Sequence, residues 1–235
     1  MFERKKILAV IAARGGSKEV PRKNLRKLAD KPLLVWTIEE AGKSSYLDKV
    51  ILSSEDDEII NIARKSGCDV PFIRPKILSR DNTTAVEVAL HAIEELNESY
   101  DFVVMLQPTS PLRTASDIDG CIELCIKSSS PSCVTVTKNV KHPLWSYSMN
   151  SAGILQQFIQ ADLGKVQRQE LPEVFVLNGA VYITRIEWFK KVQAFVTKET
   201  MGYIMPEERS LDIDTEFDIL IADFLLKRMV RERHE

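Results

Sequence analysis

Four cations and a pair of glycines crowd one short stretch: Arg14-Gly15-Gly16-Ser17-Lys18, then Arg22 and Lys23, followed by Asn24. The stretch follows the apolar run Ile7 to Ala13, which reads as a buried strand. A glycine-bearing loop at the carboxyl end of a first parallel strand is where α/β proteins bind phosphates, because small residues let backbone N–H groups approach the oxygens. The loop fits neither GxxxxGK(S/T) nor GxGxxG, so kinase, GTPase and NAD chemistry lose their sequence support. Four positive side chains still suit a polyphosphate, and a merely solvated basic loop would leave Gly15-Gly16 unexplained.

Two acids stand near the other end, in Ser210-Leu211-Asp212-Ile213-Asp214-Thr215-Glu216. Alternate residues of an extended segment point the same way, so Asp212 and Asp214 can offer two carboxylates to a hard cation such as Mg²⁺ shared with substrate phosphates. Asp214 has a second reading as the cap of the helix that follows, which leaves Asp212 unaccounted for. Between these ends, Gln107 opens Gln107-Pro108-Thr109-Ser110-Pro111, either a ligand-contacting loop or only a rigid turn. Asn178-Gly179 interrupts the apolar run Leu177 to Ile183, marking a close backbone approach or a hairpin turn. His91, His142 and His234 lack ligand spacing, and Cys68, Cys121, Cys125 and Cys133 lack a zinc pattern. Cys121 and Cys125 share a helical face with Ile118 and Ile122, so the reading is reduced thiols packed in a core.

Positioning these groups needs a scaffold, and the chain can build one. Its 235 residues are 44% hydrophobic and 28% charged, the make-up of a globular protein with a sizeable core. A net charge of −2 gives no global field for nucleic acid or an anionic membrane. No apolar run is long enough to span a bilayer and the start lacks a signal-peptide core, so a cytoplasmic location is expected. Strands are predicted over Lys6 to Ala12, Lys49 to Ser53, Val70 to Ile73, Phe102 to Gln107 and Cys133 to Val136. They alternate with helices over Pro32 to Lys43, Asp56 to Ser66, Thr84 to Asn97 and Ala115 to Lys127. The expectation is a single α/β domain over 1–235: a doubly wound, mostly parallel Rossmann-like sheet with helices on both faces. The pattern breaks over about 138–184, where Trp145 to Met149, Gly153 to Ile159 and Phe175 to Thr184 read as strands of a smaller β-rich insertion. It resumes with a strand at Gly202 to Met205 and a closing helix, Thr215 to Arg231, expected to bury Phe217, Leu220, Ile221, Phe224 and Leu225.

Taken together, IAARGGSKEVPRKN, LQPTSPLR, LNGAVYI and SLDIDTEFD resemble, in order and approximate spacing, the motifs of the CMP-sialic acid synthetases (acylneuraminate cytidylyltransferases), over about Ile7 to Leu226. The resemblance implies attack of the anomeric hydroxyl of a nine-carbon 2-keto sugar acid on the α-phosphorus of CTP, releasing pyrophosphate. It implies that Ala13, Arg14 and Asn24, with Gly15, Gly16, Ser17 and Lys18, hold the nucleotide and that Lys23 neutralises charge at the transferring phosphorus. Arg74 and a hydroxyl of Thr83 or Thr84 would approach cytosine; Gln107, Asn178 and Tyr182 would meet the sugar; Asp212 and Asp214 would hold Mg²⁺. It also implies a homodimer whose inserted strands reach the partner's site. Glu19 stands where the family has glycine, and Phe195-Val196 where it often has two aromatic residues beside the sugar. Phe195 is thus the one ring available there, and legionaminic or pseudaminic acid suits the chain as well as N-acetylneuraminate. A metal-dependent glycosyltransferase also carries paired acids on such a fold, but its nucleoside diphosphate sugar needs fewer cations than this loop provides.

Overall fold

The computed structural model describes residues 1–139, 141–160 and 171–232. In chain order the elements are β1 (Ile7–Ala12), β2 (Lys27–Leu28), β3 (Lys31–Pro32), α1 (Leu33–Gly42), β4 (Lys49–Ser53), α2 (Asp57–Lys65), α3 (Ala85–Glu95) and β5 (Phe102–Leu106). They continue with α4 (Ala115–Lys127), β6 (Ser132–Lys138), β7 (Tyr147–Met149), β8 (Leu155–Gln157), β9 (Phe175–Arg185), α5 (Ile186–Val192), β10 (Met201–Ile204) and α6 (Glu216–Glu232). Six strands form the main sheet in the order β10-β6-β9-β5-β1-β4. All run parallel except β9, which lies antiparallel between β5 and β6.

Strands buried on both faces read as continuous apolar runs, and β1 shows why. Ile7, Ala9 and Ile11 join an apolar cluster with Leu34 of α1, Ile59 of α2 and Cys121 of α4. Leu8 and Val10, on the opposite face, pack with Val88 and Ala92 of α3 and Phe189 of α5. The expected doubly wound α/β sheet is therefore present, with Cys121 and Cys125 in its core at 0% exposure. Local signals set the helix starts: Asp56 accepts from the N–H groups of Glu58 and Ile59 at the start of α2, and Thr84-Glu87 and Thr114-Asp117 form capping boxes on α3 and α4.

The structure departs from expectation in three places. Val70 to Ile73 forms no strand; Asp69 makes one bridge to Ile51, and Pro71 and Pro75 remove the N–H groups a ladder would need. Phe175 to Thr184, read with the insertion, is a central strand of the main sheet, and α5 follows it directly. What stands outside the sheet is the β7-β8 hairpin, while positions 140 and 161–170 of the expected insertion lie outside the described residues. Helix α6 buries Ile219, Ala222 and Leu226 against Leu33 and Trp36 of α1, leaving Phe217, Leu220 and Phe224 each about two-thirds exposed. Apolar residues lie on more than one face of α6, so its period alone did not select the buried one.

Candidate active site

Because five strands share a direction, the segments after β1, β4, β5 and β10 leave one end of the sheet, where ligands of open α/β folds bind. The start of antiparallel β9 arrives at that end too. A cavity of about 290 Å³ opens there, lined by residues including Arg14, Lys23, Arg74, Asp81, Thr84 and Gln107.

The glycine-bearing loop is fixed from beneath by acids. The Glu55 carboxylate accepts from the Gly15 N–H at 2.8 Å and from Arg74 at 3.0 Å. Burial would raise this carboxyl, but the bonds from Gly15 and Arg74 outweigh it and hold Glu55 below the usual carboxylate range. Arg74 is itself buried, donating to the Ala13 carbonyl at 3.1 Å and the Ser79 hydroxyl at 3.0 Å. Burial depresses its pKa, and Glu55 compensates in part. Asn24 donates to the Arg14 carbonyl at 2.9 Å. A Cβ on Gly15 would sit 2.4 Å from Asp56 Oδ2, whereas one on Gly16 would meet nothing within 4 Å. Gly15 is therefore required by close approach, and Gly16 borders the cavity with Ser17.

The four loop cations divide. Arg14 and Lys18 meet Asp81 at 2.9 and 2.8 Å. Lys23 donates to the Ile213 carbonyl at 2.5 Å and to Asp214 Oδ1 at 3.2 Å. Arg22 is committed elsewhere, to Asp56 at 2.5 Å and Glu58 at 2.6 Å, and serves the start of α2. Glu19, the departure from the family glycine, is exposed beside fully buried Val20.

The Asp212–Asp214 segment is tied down at several points. The Ile213 N–H donates to the Thr109 carbonyl at 2.9 Å, and Arg26 pairs with Glu216 at 2.5 Å. The first turn of α6 is capped by Thr215 and Asp218, with Asp218 Oδ2 accepting from the N–H groups of Asp214 and Thr215. Asp214 thus has no capping duty, and its carboxylate turns to Lys23. Asp212 differs: its Oδ1 is buried without a partner, and its Oδ2 lies 3.2 Å from the Cβ position of Gly179. Burial, reinforced by Asp214 and opposed by Thr109 and Lys23, pushes the Asp212 carboxyl above the ordinary range. Gly179 adopts φ +74° at a register shift between β6 and β9, so the glycine marks a close approach and Asp212 is what approaches.

The remaining expected residues gather around this point in unequal ways. Gln107 accepts from the Thr109 hydroxyl at 3.4 Å and lines the cavity. Asn178 is 5% exposed and spends its amide on Ser210 at 2.9 Å and Met205 Sδ at 3.3 Å, holding β9 to the segment that carries Asp212. Tyr182 is half-buried, its hydroxyl pKa raised by burial and by the charge of Asp212. Phe195 is buried, 5.5 Å from the Tyr182 ring and 4.6 Å from that of Phe189, so it backs Tyr182 from within the core. Thr83 and Thr84 line the cavity, but the Thr84 hydroxyl is engaged in the cap of α3 and the Thr83 hydroxyl donates to the Ile77 carbonyl at 3.3 Å.

A family model described as Cytidylyltransferase matches residues 8–155. The chain belongs to that family. Cytidylyltransferases are nucleotidyltransferases. An N-acylneuraminate cytidylyltransferase of Escherichia coli is 34% identical over 98% of this chain, which spans 54% of that relative's length. A pseudaminic acid cytidylyltransferase of Campylobacter jejuni is 33% identical over 94% of this chain and 97% of its own. A CMP-N,N'-diacetyllegionaminic acid synthase of Legionella pneumophila is 31% identical over the same shares. Among solved structures, a CMP:2-keto-3-deoxy-manno-octonic acid synthetase complexed with CTP superposes with a TM-score of 0.71 at 14% identity, covering 95% of this chain and 99% of that one. That likeness concerns the fold.

Several residues that shape this candidate site carry little local signal in the sequence. Glu55 and Asp56 sit in Ser54-Glu55-Asp56-Asp57, which reads only as a helix start, and Asp81 sits in a polar connector. Arg113 is fully buried, donating to the carbonyls of Gln107 and Ala180 and to the Thr37 hydroxyl at 3.1, 2.8 and 2.8 Å. Burial pushes its pKa down to about 10, against the pull of Asp117 and Glu40. An arginine ending the Gln107 loop was the available signal, because a buried guanidinium needs acceptors and can bind loop carbonyls.

Proposed function

We propose that the chain joins CTP to a nine-carbon 2-keto sugar acid of the nonulosonic class, giving the CMP-sugar and pyrophosphate. The observation that carries this reading is the contact of Lys23 with Ile213 and Asp214, 190 and 191 residues along the chain, beside a cavity that also takes Arg14. Cations for a polyphosphate would thereby stand next to twin acids for its metal, joined through Lys23 at the cavity edge. The names of the bacterial relatives support the nucleotide and the sugar class; N-acetylneuraminate, legionaminate and pseudaminate remain the candidates.

The acids suit Mg²⁺. Asp212 Oδ1 is a buried acceptor lacking a partner, and a cation there would relieve the charge that burial and Asp214 make costly. No cluster of three or more His, Cys, Asp or Glu fit for a metal occurs among the described residues. The protein would therefore supply Asp212 and Asp214, with phosphate oxygens and water completing the shell, as Mg²⁺ sites often do. When bound, Mg²⁺ supplies charge withdrawal from the phosphate oxygens and a lowered pKa for a coordinated hydroxyl.

The chain's own groups do the positioning. Lys23, 14% exposed at its side chain and fixed by two acceptors, is held to place its charge at the transferring phosphorus. Arg14, Lys18 and Ser17 meet the phosphates beyond it, with the Gly15-Gly16 backbone set by Glu55 and Asp56. Asn24 and Arg74 hold the carbonyls of Arg14 and Ala13, so they fix the loop against the nucleotide; Thr83 and Thr84 wall the cavity on the side assigned to cytosine. Gln107 and Tyr182 face the sugar, with Asn178 and Phe195 supporting them. The β7-β8 hairpin leaves Tyr147, Met149 and Leu155 exposed, which supports a homodimer in which a second copy covers them.

The deciding experiment incubates purified protein with Mg²⁺, each of the four nucleoside triphosphates and a panel of 2-keto sugar acids, and measures pyrophosphate. Release confined to CTP with a nonulosonic acid is expected. No pyrophosphate from CTP with any nonulosonic acid, or release with an eight-carbon acid alone, overturns the reading.

A further inference from the structure

Arg14, Lys23 and Arg74 at the cavity, and Lys18 and Arg22 of the same loop, each have an acid beside them, but the acids differ in what else they do. Glu55 holds the Gly15 N–H, Asp56 caps α2, and Asp214 belongs to the twin-acid segment. Asp81 does nothing further. Among the described residues its carboxylate makes no ion pair besides those with Arg14, on one oxygen at 2.9 Å, and Lys18, on the other at 2.8 Å. Arg14 and Asp81 both line the cavity but come from different segments, the loop after β1 and the connector leading into α3. The Arg14–Asp81 pair therefore joins two segments of the cavity wall. Lys18 and Arg14 hold the Asp81 carboxyl below its ordinary range, so it is charged at neutral pH and repels phosphate oxygens. The Asp81 side chain is half exposed and that of Lys18 is 77% exposed, so the pairs are of the weak, solvent-screened kind that a multiply charged ligand displaces.

We propose that Asp81 is a tethered competitor for the triphosphate: it holds Arg14 and Lys18 while the site is empty, gives them up when the polyphosphate arrives, and reclaims them as pyrophosphate leaves. This deepens the cytidylyltransferase reading and rests on it for the identity of the nucleotide. Asp81 is a tuning residue in this scheme and touches no reacting atom.

The test measures binding of inorganic tripolyphosphate, pyrophosphate and CTP by calorimetry to the wild-type protein, Asp81→Asn and Asp81→Glu, with melting curves to show that each is folded. Removing two exposed ion pairs from the empty state is expected to tighten tripolyphosphate and pyrophosphate binding to Asp81→Asn by roughly three- to tenfold. Asp81→Glu is expected to stay near wild type, and the Asn variant to show stronger product inhibition by pyrophosphate. Unchanged, weaker or absent tripolyphosphate binding in Asp81→Asn overturns the proposal, weaker binding meaning that Asp81 orients Arg14 for the ligand. Tighter tripolyphosphate binding in a protein that binds no CTP upholds the competitor role and defeats the nucleotide assignment instead.

Discussion

Asp212 and Asp214 are two residues apart and live in different surroundings. Asp212 is largely buried with an oxygen lacking a partner, while the Asp214 side chain is 71% exposed and meets Lys23. A carboxyl whose pKa is raised on folding contributes its full stability below its unfolded pKa, and loses that contribution as pH rises through the folded value. At pH 7 without metal, charged Asp212 is therefore a burden on the fold. Asp212→Asn is expected to raise the melting temperature at pH 7, with the gain shrinking as the solution is acidified toward the range where Asp212 protonates; a lower melting temperature at pH 7 would contradict this. Asp214→Asn removes charge without disturbing packing, so turnover should fall by about 10²-fold or more at unchanged melting temperature. Lys23→Ala should lower kcat by a larger factor than it raises the nucleotide KM, because a charge acting in the transition state appears in kcat. A rise in KM at constant kcat would make Lys23 a binding residue alone.

At the scale of elements, the chain places its chemistry by anchoring short loops to helix starts. Asp56 caps α2 while its side chain touches the space above Gly15, and Thr84 caps α3 beside the cavity wall. Gly15→Ala must push a Cβ into Asp56, so the loop or the cap has to give, at about 1–2 kcal/mol. The expected outcome is a lower melting temperature together with weakened nucleotide binding. Gly16→Ala, with nothing near its Cβ, should leave the melting temperature within error of wild type. Equal destabilisation by both would show that the Gly15–Asp56 contact is unimportant.

For the whole molecule, the exposed apolar side chains of the β7-β8 hairpin predict association. Light scattering is expected to give twice the mass of one chain, and charged substitutions at Met149 and Leu155 together should shift it toward one; a wild-type monomer at micromolar concentration would remove the homodimer. No helix among the described residues is long and apolar enough to cross a membrane. How far such features are legible in advance depends on whether neighbours in sequence or neighbours in space decide them. The α/β alternation, the starts of α2 and α3 at Asp56 and Thr84, the glycine-bearing loop and the Asp212–Asp214 pair were written locally, because burial on both sheet faces and cap chemistry act within a few residues. The register that puts antiparallel β9 between β5 and β6, the face of α6 that is buried, and the transfer of Arg22 from the phosphate loop to Asp56 were decided only in three dimensions. Each depends on partners far along the chain that no local pattern encodes: an acid can answer any of several cations, and a helix apolar on more than one side packs with whichever its neighbours meet.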